Sequence, residues 1–232
     1  MNQDILIERL YEALITGDRT TARRVVDDAT RQAEEVEPER VVTDLFWPVY
    51  EMVERLHRQD QIERLNYQMA TRMLRVLVDQ QAARFERDGR LRKTVFACCG
   101  PSDADELGAQ MAVDLLESAG YTVCFAGGGI AADEIVSRVQ TDQPASLVMF
   151  ASAPGDLPGI RQIIDSLREI GACEGTQVVV GGGVFNRAEG LAEEIGADLW
   201  ASNPLELVDL MTAKPAQRHA RNTRSRGKRL AA

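Results

Sequence analysis

Histidine is scarce in this chain of 232 residues, which contains two, and aromatic residues make up 5% of it. Scarce histidine argues against a Ser-His-Asp catalytic set and against haem ligation, since both depend on imidazole. The four cysteines lack the spacing of zinc sites and lie on or beside predicted strands, which argues against a disulfide framework. No apolar run approaches the roughly 20 residues that span a bilayer. We therefore expect a cytoplasmic protein without a membrane partner.

Basic charge is concentrated at the C-terminus. The chain has a net charge of −9, but its last 19 residues contain seven Lys or Arg and no acid, so residues 1–213 carry −16. An acidic body repels nucleic acid, whereas a basic tail attracts phosphates without reading sequence. We expect residues 214–232 to form a disordered tail that makes at most weak, non-specific nucleic-acid contacts.

The N-terminal part has the periodicity of helices. Between residues 4 and 87, apolar side chains recur every three or four positions in four segments. Gly17 separates the first two segments, and Gln59 begins the break before the last. Pro48 interrupts the third and predicts a kink or a helix restart, because proline lacks the N–H group that a helix needs. Residues 1–88 are thus predicted to form a four-helix cap that packs on another unit.

Beyond a polar hinge at residues 88–90, strands alternate with helices. The predicted strands are residues 94–99, 121–126, 146–151, 176–181 and 197–201, and the predicted helices are residues 104–119, 132–140, 157–170, 187–195 and 204–212. Five such units over residues 92–213 predict an α/β domain with a parallel, Rossmann-like sheet of the flavodoxin-like type. Ligands of such sheets bind beyond the carboxyl ends of the strands. The loops at those ends are here small, polar or glycine-rich.

The first of these loops, Cys99–Gly108, reads CGPSDADELG. Ser102 and Asp105 have the spacing of a capping box, in which a serine hydroxyl caps a helix and a carboxylate lies near its positive end. Gly108 would let the helix approach a flat ring closely.

Two further loops carry small residues. Ser152 follows the third strand, and a triplet, Gly181-Gly182-Gly183, follows the fourth. By itself, such a triplet is typical of a flexible turn between a strand and a helix.

The order of these loops after a helical bundle resembles the cobalamin-binding module of methionine synthase, corrinoid methyltransferase proteins and cobalamin photoreceptors. The resemblance covers roughly residues 5–212. In that family the first loop reads Asp/Glu-x-His-x-x-Gly, and its histidine replaces the cofactor's dimethylbenzimidazole beneath cobalt. This chain has Asp103-x-Asp105-x-x-Gly108. The residues around this motif are most similar to the regulatory light-sensor branch.

The resemblance implies a cobalamin between cap and sheet, with its nucleotide tail against Ser152 and the glycines 181–183. A carboxylate is a harder ligand than imidazole. A cap for the helix is therefore the favoured role of Asp105 over a cobalt ligand, and cobalamin would be held with its own base coordinated, if at all. His57 lies in Leu56-His57-Arg58-Gln59, which matches a Trp-His-Arg-Gly stretch of the light sensors. It is either a metal contact on the upper face of the ring or a polar residue near a helix end.

The function implied is a non-enzymatic corrinoid-binding sensor that regulates transcription through a protein partner. One alternative is a corrinoid carrier of a methyltransferase system. Another is a scaffold that binds a different tetrapyrrole, a bilin or haem, or no cofactor. A homo-oligomer is compatible with all three.

Overall fold

A computed structural model describes residues 3–32, 38–86, 91–171 and 173–218. The predicted hinge at 88–90 lies outside the described residues. The cap consists of four helical segments, as the periodicity predicts. They are α1 (Gln3–Thr16), α2 (Arg19–Gln32), a segment that runs from α3 (Glu39–Val41) through a π-helical turn (Val42–Phe46) into α4 (Trp47–Arg58), and α5 (Arg64–Ala82).

The π-helical turn explains how a proline is accommodated in the third segment. The backbone N–H of Trp47 donates to the carbonyl of Val42, five residues earlier instead of four. Pro48 follows in the first turn of α4 and donates no hydrogen bond back into the wide turn. The predicted restart therefore takes the form of one wide turn in a continuous helical segment.

The second unit is a parallel sheet with the strand order β2-β1-β3-β4-β5. This confirms the predicted α/β fold. The strands are β1 (Thr94–Cys99), β2 (Thr122–Gly128), β3 (Ser146–Phe150), β4 (Gln177–Gly181) and β5 (Leu199–Ala201). The helices are α6 (Asp103–Ser118), α7 (Ala132–Asp142), α8 (Leu157–Ile170), α9 (Gly183–Asn186), α10 (Leu191–Ile195) and α11 (Pro204–Ala213). A 3₁₀ turn, Pro154–Asp156, precedes α8.

The prediction of a single helix over residues 187–195 is wrong. A short helix, α9, begins at once after β4, and the chain then turns before α10. Gly190 has a φ of +79° in that turn, which a residue with a side chain rarely adopts. The apolar periodicity of the segment did not show this glycine to be a break.

Helix α6 is buried on two sides and joins the two units. Leu107 and Met111 belong to the cluster of apolar side chains in the cap, together with Phe46. Ala109 and Leu116, on the other side of α6, pack against the sheet. The cap thus covers its exposed apolar face by packing on α6, and this fixes its position above the carboxyl ends of the strands.

The expectation that the basic tail is free from residue 214 onward requires correction. The side chain of Gln177 is 1% exposed, and its amide donates to the carbonyls of Lys214 at 2.9 Å and Gln217 at 3.0 Å. Arg218 donates to the carbonyl of Gly175 at 2.7 Å. The segment is held through its backbone, which an apolar pattern cannot reveal. Residues 219–232 lie outside the described part of the chain.

Among the helices described, none combines the length and the apolar character that crossing a membrane requires.

Candidate functional site

A cleft lies between α4 of the cap and the carboxyl ends of β3, β4 and β5. It has a volume of about 130 Å³. An engineered apolar cavity of about 150 Å³ holds one benzene molecule. The cleft as it stands therefore has room for only a part of a large ligand. Its floor and inner wall are formed by Gly108, Ala109, Ala112, Phe150, Gly181, Ala201 and Leu207; its roof by Trp47, Tyr50, Glu51, Glu54 and Arg58; and its rim by Asp105, Ser152, Gly182, Gly183, Asn186, Arg187, Ser202, Asn203 and Pro204.

The predicted glycine triplet and Ser152 meet at this cleft. Gly182 has a φ of +105°, and a Cβ there would lie 2.3 Å from the carbonyl oxygen of Ala151. Only glycine fits that position, so the β4 loop passes closely over the end of β3. Ser152 lies beside this loop, because its Oγ is 3.9 Å from the Cβ position of Gly183. A ligand at this rim would meet exposed backbone.

The Asp105 loop forms a helix cap, as the spacing predicts. The hydroxyl of Ser102 accepts from the backbone N–H of Asp105 at 3.0 Å and donates to its Oδ2 at 2.5 Å. Asp105 is 4% exposed, and its Oδ1 has no hydrogen-bond partner in the described structure. One carboxylate oxygen is thus committed to the cap and the other is buried at the cleft.

Asp103 is not brought to the cleft. It is exposed in the first turn of α6, and its carbonyl accepts from Arg75 of α5 at 3.0 Å. Through this hydrogen bond, the backbone of Asp103 links α6 to helix α5 of the cap.

A second carboxylate lies near Asp105. A Cβ at Gly100 would be 2.7 Å from Oδ2 of Asp105 and 2.9 Å from Oδ2 of Asp156. Burial, and then the charge of Asp105, raise the pKa of Asp156. Within the described residues, no group of three or more His, Cys, Asp or Glu side chains converges as a metal site.

Tyr50 connects the cap to α6 at the inner end of the cleft. Its hydroxyl donates to the carbonyl of Ala104 at 3.1 Å, and it lies 2.9 Å from where a Cβ of Gly108 would be. Burial raises the pKa of Tyr50 well above its usual value. Gly108 therefore permits the approach of the cap to α6 in this structure.

Glu54 is a buried acid in the roof. Its Oε1 accepts from the hydroxyl of Tyr67 at 2.6 Å, and its Oε2 lies 3.7 Å from a guanidinium nitrogen of Arg58. Burial raises the pKa of Glu54. The tyrosine fixes this carboxyl group in the cap.

His57 lies beside the cleft and does not line it. Its ring stacks on Tyr67 with centroids 3.8 Å apart and planes 16° apart. Its Nδ1 is buried without a hydrogen-bond partner among the described residues. As placed, it supports the ring of Tyr67, which in turn holds Glu54, so a direct contact of His57 with a metal stays a prediction.

No motif in the sequence predicts the residues of the roof or Arg187 of the rim as parts of a site. Trp47, Tyr50, Glu54 and Arg58 recur at intervals of three or four residues along α4, so helical spacing was an available signal. Arg187 lies in a segment that the sequence predicts as a helix, and no local motif indicates that it reaches a ligand site.

Two models described as the B12 binding domain match this chain. One matches residues 6–80, which include most of the cap, and the other matches residues 93–209, which include the whole sheet. The predicted resemblance to cobalamin-binding modules is thereby confirmed, and with it a cobalamin-type cofactor as the ligand class of the family. The light-sensor branch is not tested by these matches.

Among curated proteins, the chain is similar to dimethylamine corrinoid proteins of Methanosarcina acetivorans. It is 30% identical to dimethylamine corrinoid protein 1 over 106 residues, which cover 46% of this chain and 49% of that protein. It is 22% identical to dimethylamine corrinoid protein 2 over 209 residues, which cover 89% of this chain and 94% of that protein. The chain thus spans about half the length of the first of these relatives.

Among solved structures, the monomethylamine corrinoid protein of Methanosarcina barkeri is similar with a TM-score of 0.75. It is 16% identical, and the match covers 91% of this chain and 99% of that chain. The methanol:cobalamin methyltransferase complex MtaBC of the same organism is similar with a TM-score of 0.50 at 18% identity, covering 94% and 83%. At this identity the likeness supports the fold of cap and sheet.

Proposed function

Because the chain belongs to the B12 binding domain family, we propose that it is a corrinoid carrier without catalytic activity of its own. It would hold a cobalamin between cap and sheet and present it to a methyltransferase as its protein partner. The observation that carries this proposal is the glycine-rimmed cleft between the two units. The similarity to corrinoid proteins over 89% of the chain favours a carrier over a sensor that regulates transcription.

The residues of the cleft fit a large cofactor with a nucleotide tail. Phe150, Ala109 and Ala112 offer an apolar floor, and the close approach of Gly182 leaves backbone exposed at the rim. A volume of about 130 Å³ is small for a corrin ring. The cap would therefore separate from α6 for the ring to enter, and the hydrogen bond of Tyr50 to Ala104 would break.

In this arrangement Ser152 and the glycines 181–183 would contact the nucleotide edge of the cofactor, and Gly108 would lie beneath the ring. The roof residues of α4 would cover the ring from above, with Glu54 held by Tyr67. When bound, the cofactor supplies a cobalt centre that accepts and releases a methyl group. The chain itself would bind this group, orient it and limit the access of water.

The lower cobalt ligand would be the cofactor's own dimethylbenzimidazole. Asp105 supplies no nitrogen, and its Oδ2 is committed to Ser102. Cobalt(II) paramagnetic resonance tests this arrangement. Bound cobalamin should show hyperfine splitting from one nitrogen, and bound cobinamide, which lacks the base, should show none. Nitrogen splitting in the cobinamide complex of the wild-type protein would contradict this arrangement. In the Asp105→His variant, the cobinamide complex should show such splitting, because the new imidazole supplies a nitrogen.

Cofactor binding is tested by absorption spectroscopy after gel filtration with hydroxocobalamin, biliverdin or haem. We expect retention of the cobalamin alone, and Gly182→Ala should weaken it because the Cβ would collide with backbone. Gly159→Ala is the matched control, since no atom lies within 4 Å of its Cβ position. Retention of biliverdin or haem in place of cobalamin would support the scaffold alternative.

The carrier role is tested with the methylcobalamin-loaded protein and a purified corrinoid-dependent methyltransferase. We expect loss of the methyl-cobalt absorption only when the enzyme and its acceptor are both present. A light-dependent change of oligomeric state without methyl transfer would instead favour a sensor.

A further inference from the structure

We propose that Arg58 and Arg187 form an anion-binding pair at the mouth of the cleft, and that the anion is the phosphodiester of the cofactor's nucleotide tail. The proposal rests on the proposed function, because the phosphodiester belongs to a cobalamin. One arginine comes from the cap and the other from the turn after α9, so the pair spans the boundary between the two units.

Arg187 has hydrogen-bond donors to spare. Its Nη2 donates to the carbonyl of Ser152 at 2.5 Å, and its Nη1 is 2.6 Å from the Cβ position of Gly183. A guanidinium has five N–H groups in a rigid fork. In the described part of the chain, no carboxylate lies within ion-pair distance of Arg187. The group thus lies over the glycine rim, and among the described residues the negative charge of Glu54 acts on it only from beyond ion-pair distance.

Arg58 enters the same cleft from the roof. Its contact with Glu54 is long, at 3.7 Å, and Glu54 is already held by Tyr67. Burial, followed by the positive charge of Arg58, lowers the pKa of Arg187, and the negative charge of Glu54 offsets part of that change. Arg58 and Arg187 both line this cleft, so their like charges oppose each other there, and an anion between them would add an attraction to each.

A phosphodiester fits this position better than other parts of a cobalamin. The amide side chains of the corrin are neutral, whereas the phosphodiester carries a fixed negative charge at neutral pH. Arginine also matches the geometry of phosphate oxygens with paired N–H groups. Its location beside Ser152 and the glycine loop is where the nucleotide edge is proposed to lie.

The test compares two ligands that differ in this group. Cobalamin has the phosphodiester and the nucleotide, and cobinamide lacks both. Dissociation constants are measured by absorption titration for the wild-type protein, Arg58→Gln, Arg187→Gln and the control Arg138→Gln. Arg138 is a matched control because it lies on α7, paired with Asp142 at 2.6 Å, outside the cleft. Thermal unfolding of each variant verifies that it folds.

We expect Arg187→Gln to weaken cobalamin binding about tenfold or more, as for loss of a charge-assisted hydrogen bond. Arg58→Gln should have a similar effect, cobinamide binding should change less than about threefold, and Arg138→Gln should alter neither. Arg187→Lys should restore part of the affinity, because it keeps the charge without the fork. Unchanged cobalamin binding, or an equal loss for both ligands, would overturn the anion pair. A wild-type protein that binds neither ligand would overturn the proposed function itself.

Discussion

Replacing Gly108 with alanine should destabilise the protein, although alanine is the better helix former. In a helix interior alanine is favoured over glycine by about 1 kcal/mol. The added Cβ would, however, lie 2.9 Å from the hydroxyl oxygen of Tyr50 and 3.2 Å from its Cζ. Both residues are buried, and overpacking of a core costs about 1–3 kcal/mol. The expected net loss in the free energy of unfolding is about 1 kcal/mol.

Tyr50→Phe should relieve part of this loss. Alone, it removes a buried hydrogen bond to Ala104 and should cost about 1 kcal/mol. In the double variant the contact at 2.9 Å is gone, and the remaining ring carbon at 3.2 Å needs a shift of a few tenths of an ångström. The Gly108→Ala change should then be neutral or stabilising, which gives a coupling energy of about 1 kcal/mol between the two positions.

Urea unfolding of the wild type, both single variants and the double variant measures this coupling. Gly159→Ala in α8 is the control for helix propensity, because no atom lies within 4 Å of its Cβ position, and it should stabilise by up to about 1 kcal/mol. Additive effects within about 0.5 kcal/mol, or a stabilising Gly108→Ala in the wild-type background, would refute the contact of Tyr50 with α6.

Three further predictions concern other polar groups. Burial raises the pKa of Asp114 to about 6, so the folded chain keeps a proton that the unfolded chain loses near 3.8. The free energy of unfolding should therefore fall by at most about 3 kcal/mol as pH rises between these values. Urea unfolding at several pH values measures this fall, and Asp114→Asn should remove it. Ser102→Ala should cost about 1 kcal/mol of unfolding free energy by removing the cap of α6, and a neutral result would refute that cap. Truncation after residue 218 should leave the free energy of unfolding unchanged and abolish any weak, salt-sensitive DNA binding. Truncation after residue 213 should cost about 1–3 kcal/mol of unfolding free energy, because the Gln177 amide loses two acceptors. Equal stability of the two truncated proteins would contradict this role of Gln177.

The order of helices and strands could be predicted because each element buries one continuous apolar face. The small residues at the carboxyl ends of the strands likewise predicted where a cleft would open, and the spacing of Ser102 and Asp105 predicted the cap of α6. These are local properties, since a period or a four-residue spacing depends on neighbours in the sequence. The contacts of Lys214 and Gln217 with Gln177 could not be predicted in this way, because they use backbone carbonyls that carry no residue-specific signal.

The roof of the cleft depends on helix phase, which is a property of the whole third helical segment. Successive residues of an α-helix point about 100° apart, and of the neighbours His57 and Arg58 only Arg58 lines the cleft. The π-helical turn at Val42–Phe46 adds one residue to a turn, because Trp47 bonds five residues back. Every later side chain is thereby rotated by about one position, and Arg58 takes the direction that a regular helix would give to His57. Pro48, which favours such a turn by withholding an N–H group, therefore influences which residues of α4 line the cleft, as far as Arg58, ten residues further along the chain.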